Sequence, residues 1–340
     1  MRAIWITRHG GPNVLEVKET PDPVPAAGEA LVRVEAVGLN FAEVMARQGL
    51  YPDAPKPPCV VGYEGAGVIE KLGAGVSGVT EGQRVLYLTR FNGHQSKVAV
   101  SASQVFPIPD EMSFEEAAAI PVNYLTAYHM LFRIARVRKG EHVLVHMAAG
   151  GVGTAALQLC RTVEGLVTYG TASAGKHDYA REQGCDHPID YRNLDYVTEI
   201  RRLTEGRGVD LVLDALGGAD WKKGYSLLKP AGMLIAFGLA NANSGSGKRN
   251  LFRVVGQMAQ IPWYSPMKLM NDNRAVAGVN MGHLFSELDM LTEEMKDLVE
   301  LYRQGKIRPH VGKVFPFSEA AAAHQELEQG KNVGKVVLTP

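Results

Sequence analysis

Apolar residues change their period along this chain, and the changes divide it. From Ala30 to Val37 apolar and polar positions alternate, as in a half-buried antiparallel strand. Pro21, Pro23 and Pro25 punctuate one nearby connection; Pro52, Pro55, Pro57 and Pro58 punctuate another. Glycines recur at 62, 65, 67, 73, 75, 78 and 82. Short strands between such turns describe a compact β-rich domain. Ser113-Phe-Glu-Glu116 has the form of a capping box, so helix is expected from there, and Pro121–Ile134 leads into the next region.

The period then shifts. His142–His146 is a short apolar run that reads as a buried parallel strand. Ala148-Ala149-Gly150-Gly151-Val152-Gly153 turns the chain, and Val152, Ala156, Leu159 and Val163 follow at helical spacing. Asp186–Asp190 reads as a third strand, Val209–Ala215 as a fourth, Gly232–Gly238 as a fifth and Ala275–Asn280 as a sixth. Helical patterns fill most of the intervals, one of them ending at Gly184, a C-cap glycine. Alternation of this kind predicts a doubly wound parallel sheet, a Rossmann domain. The stretches Gln48–Pro58 and Gln257–Asn273 read as loops.

Past Asn280 an amphipathic helix presents Leu291, Met295, Leu298, Leu301 and Tyr302 on one face and stops at Gly305. Val314–Phe317, an alanine-rich helix and Gly334–Leu338 complete the chain. The last strand is placed back on the first domain, because termini often lie close together. The expected fold class is therefore α/β, with residues 123–278 as a Rossmann insertion between 1–122 and 279–340 of a β-rich domain.

Composition narrows the chemistry. The 340 residues balance 36 basic against 36 acidic side chains, which argues against a nucleic-acid surface or a polybasic membrane anchor. No apolar run reaches the length of a membrane span, and the first residues lack a signal-peptide core. Cys59, Cys160 and Cys185 are too few and too scattered for a disulfide framework. A cytoplasmic enzyme is the expectation.

The glycine turn carries the clearest chemistry. A strand running through glycines into a helix leaves N–H groups unpaired at the helix start, and these attract phosphate together with the helix dipole. Ala148 stands where the first glycine of G-x-G-x-x-G belongs. An NAD site places an acidic residue about 20 positions past the glycines. Ser173 stands there instead, with Lys176 beside it, offering a donor and a positive charge to a 2′-phosphate. NADPH is thus favoured over NADH. The basic loop Gly245-Ser-Gly-Lys-Arg-Asn250 reads as a solvated connection.

Val37-Gly-Leu-Asn-Phe-Ala-Glu-Val-Met-Ala-Arg-Gln-Gly-Leu-Tyr51, Gly62-Tyr-Glu-Gly-Ala-Gly67 and Ala148–Gly153 resemble the zinc-independent branch of the medium-chain dehydrogenase/reductases, the NADPH quinone oxidoreductases. The resemblance covers the whole chain. Val145–Gly153, Gly170-Thr-Ala-Ser173, His187-Pro-Ile-Asp-Tyr191 and Lys331-Asn-Val-Gly-Lys335 are similar to the vesicle amine transport protein homologue subgroup.

The resemblance implies a GroES-like catalytic domain, a homodimer and hydride transfer from NADPH to a quinone or related conjugated carbonyl. Alternatives are an enone or enoyl-thioester reductase, or an NADPH-binding membrane- or partner-associated protein with little turnover. It also implies that Asn40, Tyr128 and, near it, Thr126 meet the nicotinamide half, with backbone from Phe237, Gly238 and Leu239. Ala149, Gly150, Gly151, Val152 and Gly153 would hold the pyrophosphate, Tyr191 the 2′-phosphate and adenine, and Lys335 a further cofactor position. Tyr51 matches a tyrosine proposed as proton donor in related enoyl reductases, and Tyr51 and Asn40 are the catalytic residues that the resemblance implies. Zinc-dependent relatives carry cysteine near Asn40 and histidine at Tyr63, so no metal is expected; Glu64 and His94 are expected to fill structural roles.

Overall fold

The computed structural model describes residues 1–242 and 251–340. The described chain forms two compact units, Met1–Leu125 with Met281–Pro340, and Thr126–Ala242 with Leu251–Asn280.

The first unit begins with β1 (Arg2–Ile6), β2 (Leu15–Glu19), β3 (Glu29–Leu39), α1 (Phe41–Gln48) and β4 (Cys59–Val60). It continues through β5 (Glu64–Leu72), β6 (Arg84–Leu88), β7 (Lys97–Ser101), β8 (Val105–Pro107) and α2 (Phe114–Ala118). Helix α3 (Asn123–Tyr128) then leads away. The capping box at Ser113 forms as its spelling requires: Glu116 N–H donates to Ser113 Oγ, and the Glu116 carboxylate accepts from Ser113 N–H. Strand β3 is longer and more deeply buried than its alternation suggests, with Ala30, Leu31 and Val32 all buried. It pairs with β5 and β7, and α2 packs on β3 and β5, so little of it faces water.

The second unit holds β9 (His142–Val145), α4 (Gly151–Cys160), β10 (Val167–Ala172), α5 (His177–Glu182), β11 (His187–Asp190) and α6 (Tyr196–Leu203). It goes on through β12 (Val209–Asp214), α7 (Ala219–Leu227), β13 (Leu228–Ala236), α8 (Leu251–Ala259), α9 (Pro266–Asp272) and β14 (Ala275–Gly278). The six strands pair in the order β11-β10-β9-β12-β13-β14, all parallel. The order reverses about β9 and β12, the doubly wound arrangement expected from the alternation.

Several element ends differ from the reading of the sequence. The third strand starts at His187 because Asp186 is taken up by side-chain bonds, accepting from Thr168 N–H at 2.8 Å and Thr168 Oγ1 at 2.9 Å. The fifth begins at Leu228, well before Gly232. Leu228 pairs with Val209, and an irregularity follows in which Ala231 takes φ +68°; Pro230-Ala-Gly232 spells a turn and hides a bulge. Gln257–Asn273 contains α9, capped by Ser265 accepting from Lys268 N–H and started by Pro266, a signal present in the sequence.

The chain then returns through α10 (Leu288–Arg303), β15 (Val311–Pro316), α11 (Ala320–Glu328) and β16 (Lys335–Thr339). Helix α10 buries Leu291, Met295, Leu298, Val299 and Tyr302, while Leu301 is only half-buried at the edge of that stripe. Strand β16 pairs antiparallel with β3, Val337 opposite Gly38. The larger sheet of this unit runs β15-β16-β3-β5-β6-β8, and its core joins Val32, Val34 and Val37 to Phe317, Ala323 and Leu338.

Candidate cofactor and catalytic site

In the second unit the glycine turn lies at the carboxyl end of β9. Gly150 adopts extended angles and α4 starts at Gly151, with no side chain capping it. The first N–H groups of that helix therefore face outward without a side-chain partner, as an oxyanion site needs. A Cβ on Gly153 would lie 2.3 Å from Met147 O, so glycine there is obligatory. Ala148 replaces the expected glycine without strain: it is buried and donates its N–H to Thr171 O. Gly170 on the neighbouring strand supplies the room, since a Cβ there would meet the Ala148 Cβ at 2.7 Å. Ala149 is buried, and Gly150, Gly151 and Val152 are half-exposed. The turn fits a dinucleotide pyrophosphate.

Ser173 precedes and Lys176 ends the short helix that follows β10, both half-buried. Tyr191, just beyond β11, is exposed, with the Arg192 guanidinium 6.0 Å from its ring centre. Sequence reasoning missed Asp190. Its carboxylate accepts from Arg192 N–H and from Asn193 Nδ2 at 2.6 Å, and these bonds, that of Asn193 foremost, lower its pKa. Backbone at Ala174, in the segment after β10, lowers it slightly further. Asp190 thus stands at the end of the next strand, already engaged by Arg192 and Asn193, and not at the position the spacing rule gives.

Past β12 and β13 two turns are fastened together. Phe237 N–H donates to Asp214 O and Ala240 N–H to Ala215 O, both at 2.9 Å. Gly238 is needed for this approach, since its Cβ would stand 2.8 Å from Ala215 O. Phe237, Gly238 and Leu239 are half-exposed. Thr126 is buried, whereas Tyr128 is half-exposed and packs its ring on Phe132 at 4.8 Å. Residues Gly245–Asn250 lie outside the described residues.

In the first unit the structure brings Asn40 and Lys335 together. Asn40 precedes α1 and is 9% exposed; Lys335 opens β16 and is 2% exposed. Lys335 Nζ donates to Asn40 Oδ1 at 2.6 Å and also to the Glu64 carboxylate. Asn40 Nδ2 donates to Glu64 Oε1 at 2.7 Å and to Glu43 Oε1 at 3.3 Å. Glu64 Oε2 accepts from Val122 N–H at 2.6 Å. Glu43, which sequence reasoning passed over, accepts from Asn40 N–H; the spacing Asn-x-x-Glu was its signal.

Burial pushes Glu43 up to about 8, with the neighbouring Lys335 opposing and Glu64 adding to the shift. Glu43 is therefore protonated for the most part at pH 7. His94, also fully buried, places Nε2 3.2 Å from Gly38 O, and burial takes its pKa down to about 4. Glu64 is bonded on both oxygens, whereas His94 is bonded at Nε2 and leaves Nδ1 without a partner.

Tyr51 follows α1 and packs edge-on to Tyr63, ring centres 6.4 Å apart, beside the cluster of Ile6, Val14, Val61 and Phe91. Zinc does not fit this neighbourhood. Its two expected ligand positions hold a carboxamide and a phenol, and the Lys335 ammonium already neutralises Glu64. Among the described residues no group of three or more His, Cys, Asp or Glu is placed to hold a metal ion.

Residues 26–110 match the family of the alcohol dehydrogenase GroES-like domain, and residues 183–338 match the family described as zinc-binding dehydrogenase. The human synaptic vesicle membrane protein VAT-1 homolog is 46% identical over 342 residues, covering 100% of this chain and 86% of that protein. The chain belongs to the medium-chain dehydrogenase/reductases. Within that family it falls in the VAT-1 homologue subgroup. A 2-haloacrylate reductase from a Burkholderia species is 30% identical over 343 residues, 99% of this chain and 98% of its own. The Escherichia coli quinone oxidoreductase complexed with NADPH superposes with TM-score 0.87 at 30% identity, covering 100% of both chains. This family member is thus an oxidoreductase by kinship, with the GroES-like and Rossmann architecture of its relatives.

Proposed function

We propose that this protein transfers hydride from NADPH to a quinone or a similar small conjugated carbonyl. The observation that carries the cofactor half is the end of β10, where Ser173 and Lys176 stand in place of the acidic residue that favours NADH. NADPH supplies the hydride when bound. The uncapped start of α4 would hold its pyrophosphate through Gly150, Gly151, Val152 and Gly153. Ser173, Lys176 and Tyr191 would take the 2′-phosphate end, and backbone at Phe237–Leu239 the nicotinamide amide, with Asn40, Thr126, Tyr128 and Lys335 as further positions. Asn40 and Lys335 fix one another, so their part is to shape the site.

Quinone is the favoured acceptor because its developing oxyanion is delocalised and demands little acid help; the site's main work is holding the ring and excluding water. Likeness to the quinone oxidoreductase supports this reading. Kinship with the 2-haloacrylate reductase supports a second, reduction of an enone or enoyl thioester with Tyr51 as proton donor. NADPH oxidation against a panel of quinones, enals and enoyl thioesters decides between them, and turnover of none would overturn both in favour of a binding protein.

No described helix is long and apolar enough to cross a membrane. We place the protein in the cytoplasm, without metal, as a homodimer. The pairing surface is the outer edge of β14 with the exposed apolar residues of the preceding segment, among them Phe252 at 93% and Trp263 at 89% exposure. Sedimentation should give a dimer that Trp263→Glu weakens.

A further inference from the structure

One buried pair in the second unit is used by none of the roles above. His146, directly after β9, and Asp214, the last residue of β12, are both fully buried. His146 Nε2 stands 3.9 Å from Asp214 Oδ2, and neither atom has a hydrogen-bond partner. Leaving two such atoms unsatisfied costs stability, so their facing each other calls for a reason.

The tautomer of the ring follows from its neighbours. Met147 N–H donates to Thr171 Oγ1 at 3.2 Å, and Thr171 Oγ1 lies 3.1 Å from His146 Nδ1. The hydroxyl has a second lone pair and would serve either tautomer, but the unpartnered Asp214 Oδ2 facing Nε2 selects the one in which Thr171 donates to Nδ1. The ring proton is then on Nε2, directed at the carboxylate. Burial lowers the His146 pKa and keeps the ring neutral, with Asp214 and Asp220 opposing that shift and Lys223 assisting it. The Tyr196 ring closes the remaining side, edge-on at 4.8 Å.

Each partner continues into a different part of the nucleotide site. His146 runs through Met147 into the glycine turn. Asp214 Oδ1 accepts Leu216 N–H at 2.7 Å and Gly217 N–H at 3.0 Å, while its carbonyl accepts Phe237 N–H at 2.9 Å. Gly217, at φ +81°, lies so close to Leu239 that a Cβ would meet Leu239 Cδ2 at 2.5 Å. Asp214 therefore holds the joint between the turns after β12 and β13.

We propose that His146 and Asp214 are positioning residues which couple the phosphate-binding turn to the paired turns that would carry the nicotinamide half of NADPH. The inference rests on the NADPH reading given above. The acceptor is a buried carboxylate with one oxygen already fixed to two backbone donors, so an N–H at its other oxygen sets the orientation of both turns. A small closure of the 3.9 Å separation on binding completes the bond.

The test compares two nucleotides. Adenosine 2′,5′-bisphosphate has the adenine end of NADPH and lacks the nicotinamide half. His146→Phe keeps a ring beside Tyr196 and removes the Nε2 proton; it should bind NADPH about tenfold more weakly and the bisphosphate within twofold of the unmodified protein. His146→Gln, whose amide offers an N–H toward Asp214 and an acceptor toward Thr171, should recover NADPH affinity to within about threefold. Equal losses for both nucleotides, or no loss for NADPH, would overturn the inference. A second measurement needs no variant: nitrogen-15 spectra should show His146 protonated on Nε2, its proton moving downfield with NADPH and not with the bisphosphate. Protonation on Nδ1 would overturn the coupling. If the unmodified protein binds neither nucleotide, the NADPH reading itself fails and takes this inference with it.

Discussion

Lys335 donates its ammonium to the side-chain oxygen of Asn40 at 2.6 Å, across 295 positions of sequence. Through this bond and its bond to Glu64, the last strand of the chain is tied to the start of α1 inside the first unit. Removing the ammonium leaves Glu64 buried and uncompensated. Lys335→Met should destabilise the protein by about 3–5 kcal/mol, and adding Glu64→Gln should restore a large part of the loss. Denaturant melts of the two single variants and the double one check it; additive losses would show that the pair is not coupled.

Glu43 gives a pH dependence of definite sign. Burial raises its folded pKa to about 8 from the ordinary 4.5, so between those values the folded chain holds a proton that the unfolded chain has released. Its contribution to stability should therefore fall as pH rises from about 5 to 8, at a slope of at most about 1.4 kcal/mol per pH unit from this group. Glu43→Gln should flatten that slope. His94, its pKa taken down by burial to about 4 from 6.5, contributes the opposite slope over that interval, so the two largely offset below about 6.5, the Glu43 limb shows between about 6.5 and 8, and Glu43→Gln uncovers the His94 limb. Thermal melts across pH 4–9 measure both limbs.

Ser173 and Lys176 carry the preference between nucleotides. NADPH should bind at least tenfold more tightly than NADH, about 1.4 kcal/mol, and Lys176→Ala should erase most of that gap while barely changing NADH affinity. Titration by nicotinamide fluorescence reads both. Equal affinities in the unmodified protein would refute the assignment.

Gly153 tests the turn itself. A Cβ there would lie 2.3 Å from Met147 O and 2.7 Å from the Ala148 Cα, contacts that only a backbone shift can relieve. Gly153→Ala should lower NADPH affinity at least tenfold and reduce the melting temperature by several degrees. Gly256→Ala in α8, where a Cβ meets nothing within 4 Å, is the control and should neither weaken NADPH binding nor lower the melting temperature.

Tyr51 separates the two enzyme readings. With a quinone as acceptor, Tyr51→Phe should keep the packing on Tyr63 and lose less than tenfold in rate. With an enone or enoyl thioester, a positioned acid contributes about 10²–10⁴-fold, so the same change should raise the barrier by roughly 3–5 kcal/mol. Single-turnover rates with both acceptor types, at saturating NADPH, make the comparison. A hundredfold loss with quinones would show that the phenol serves the quinone reaction as well.

The sequence by itself determined the fold class, because that information is local and periodic. The run at His142, the glycines of 150–153 and the alternation of strands with helices each state a preference that tertiary packing reinforces. It also determined why zinc does not fit, since a carboxamide at Asn40 and a phenol at Tyr63 need no coordinates to be recognised as the wrong donors. The bulge at Ala231 and the start of β13 were decided by pairing with Val209, a partner that propensity cannot see. Asp190 stands at the end of the neighbouring strand, out of range of any spacing rule. The ionisation of Glu43 depends on burial and on Glu64 and Lys335, which only the folded chain brings within reach. The facing of His146 and Asp214 likewise exists only where β9 and β12 lie side by side. Period and turn chemistry act within a few residues and are written in the sequence; charge, solvation and register act through space, and there the tertiary structure decides.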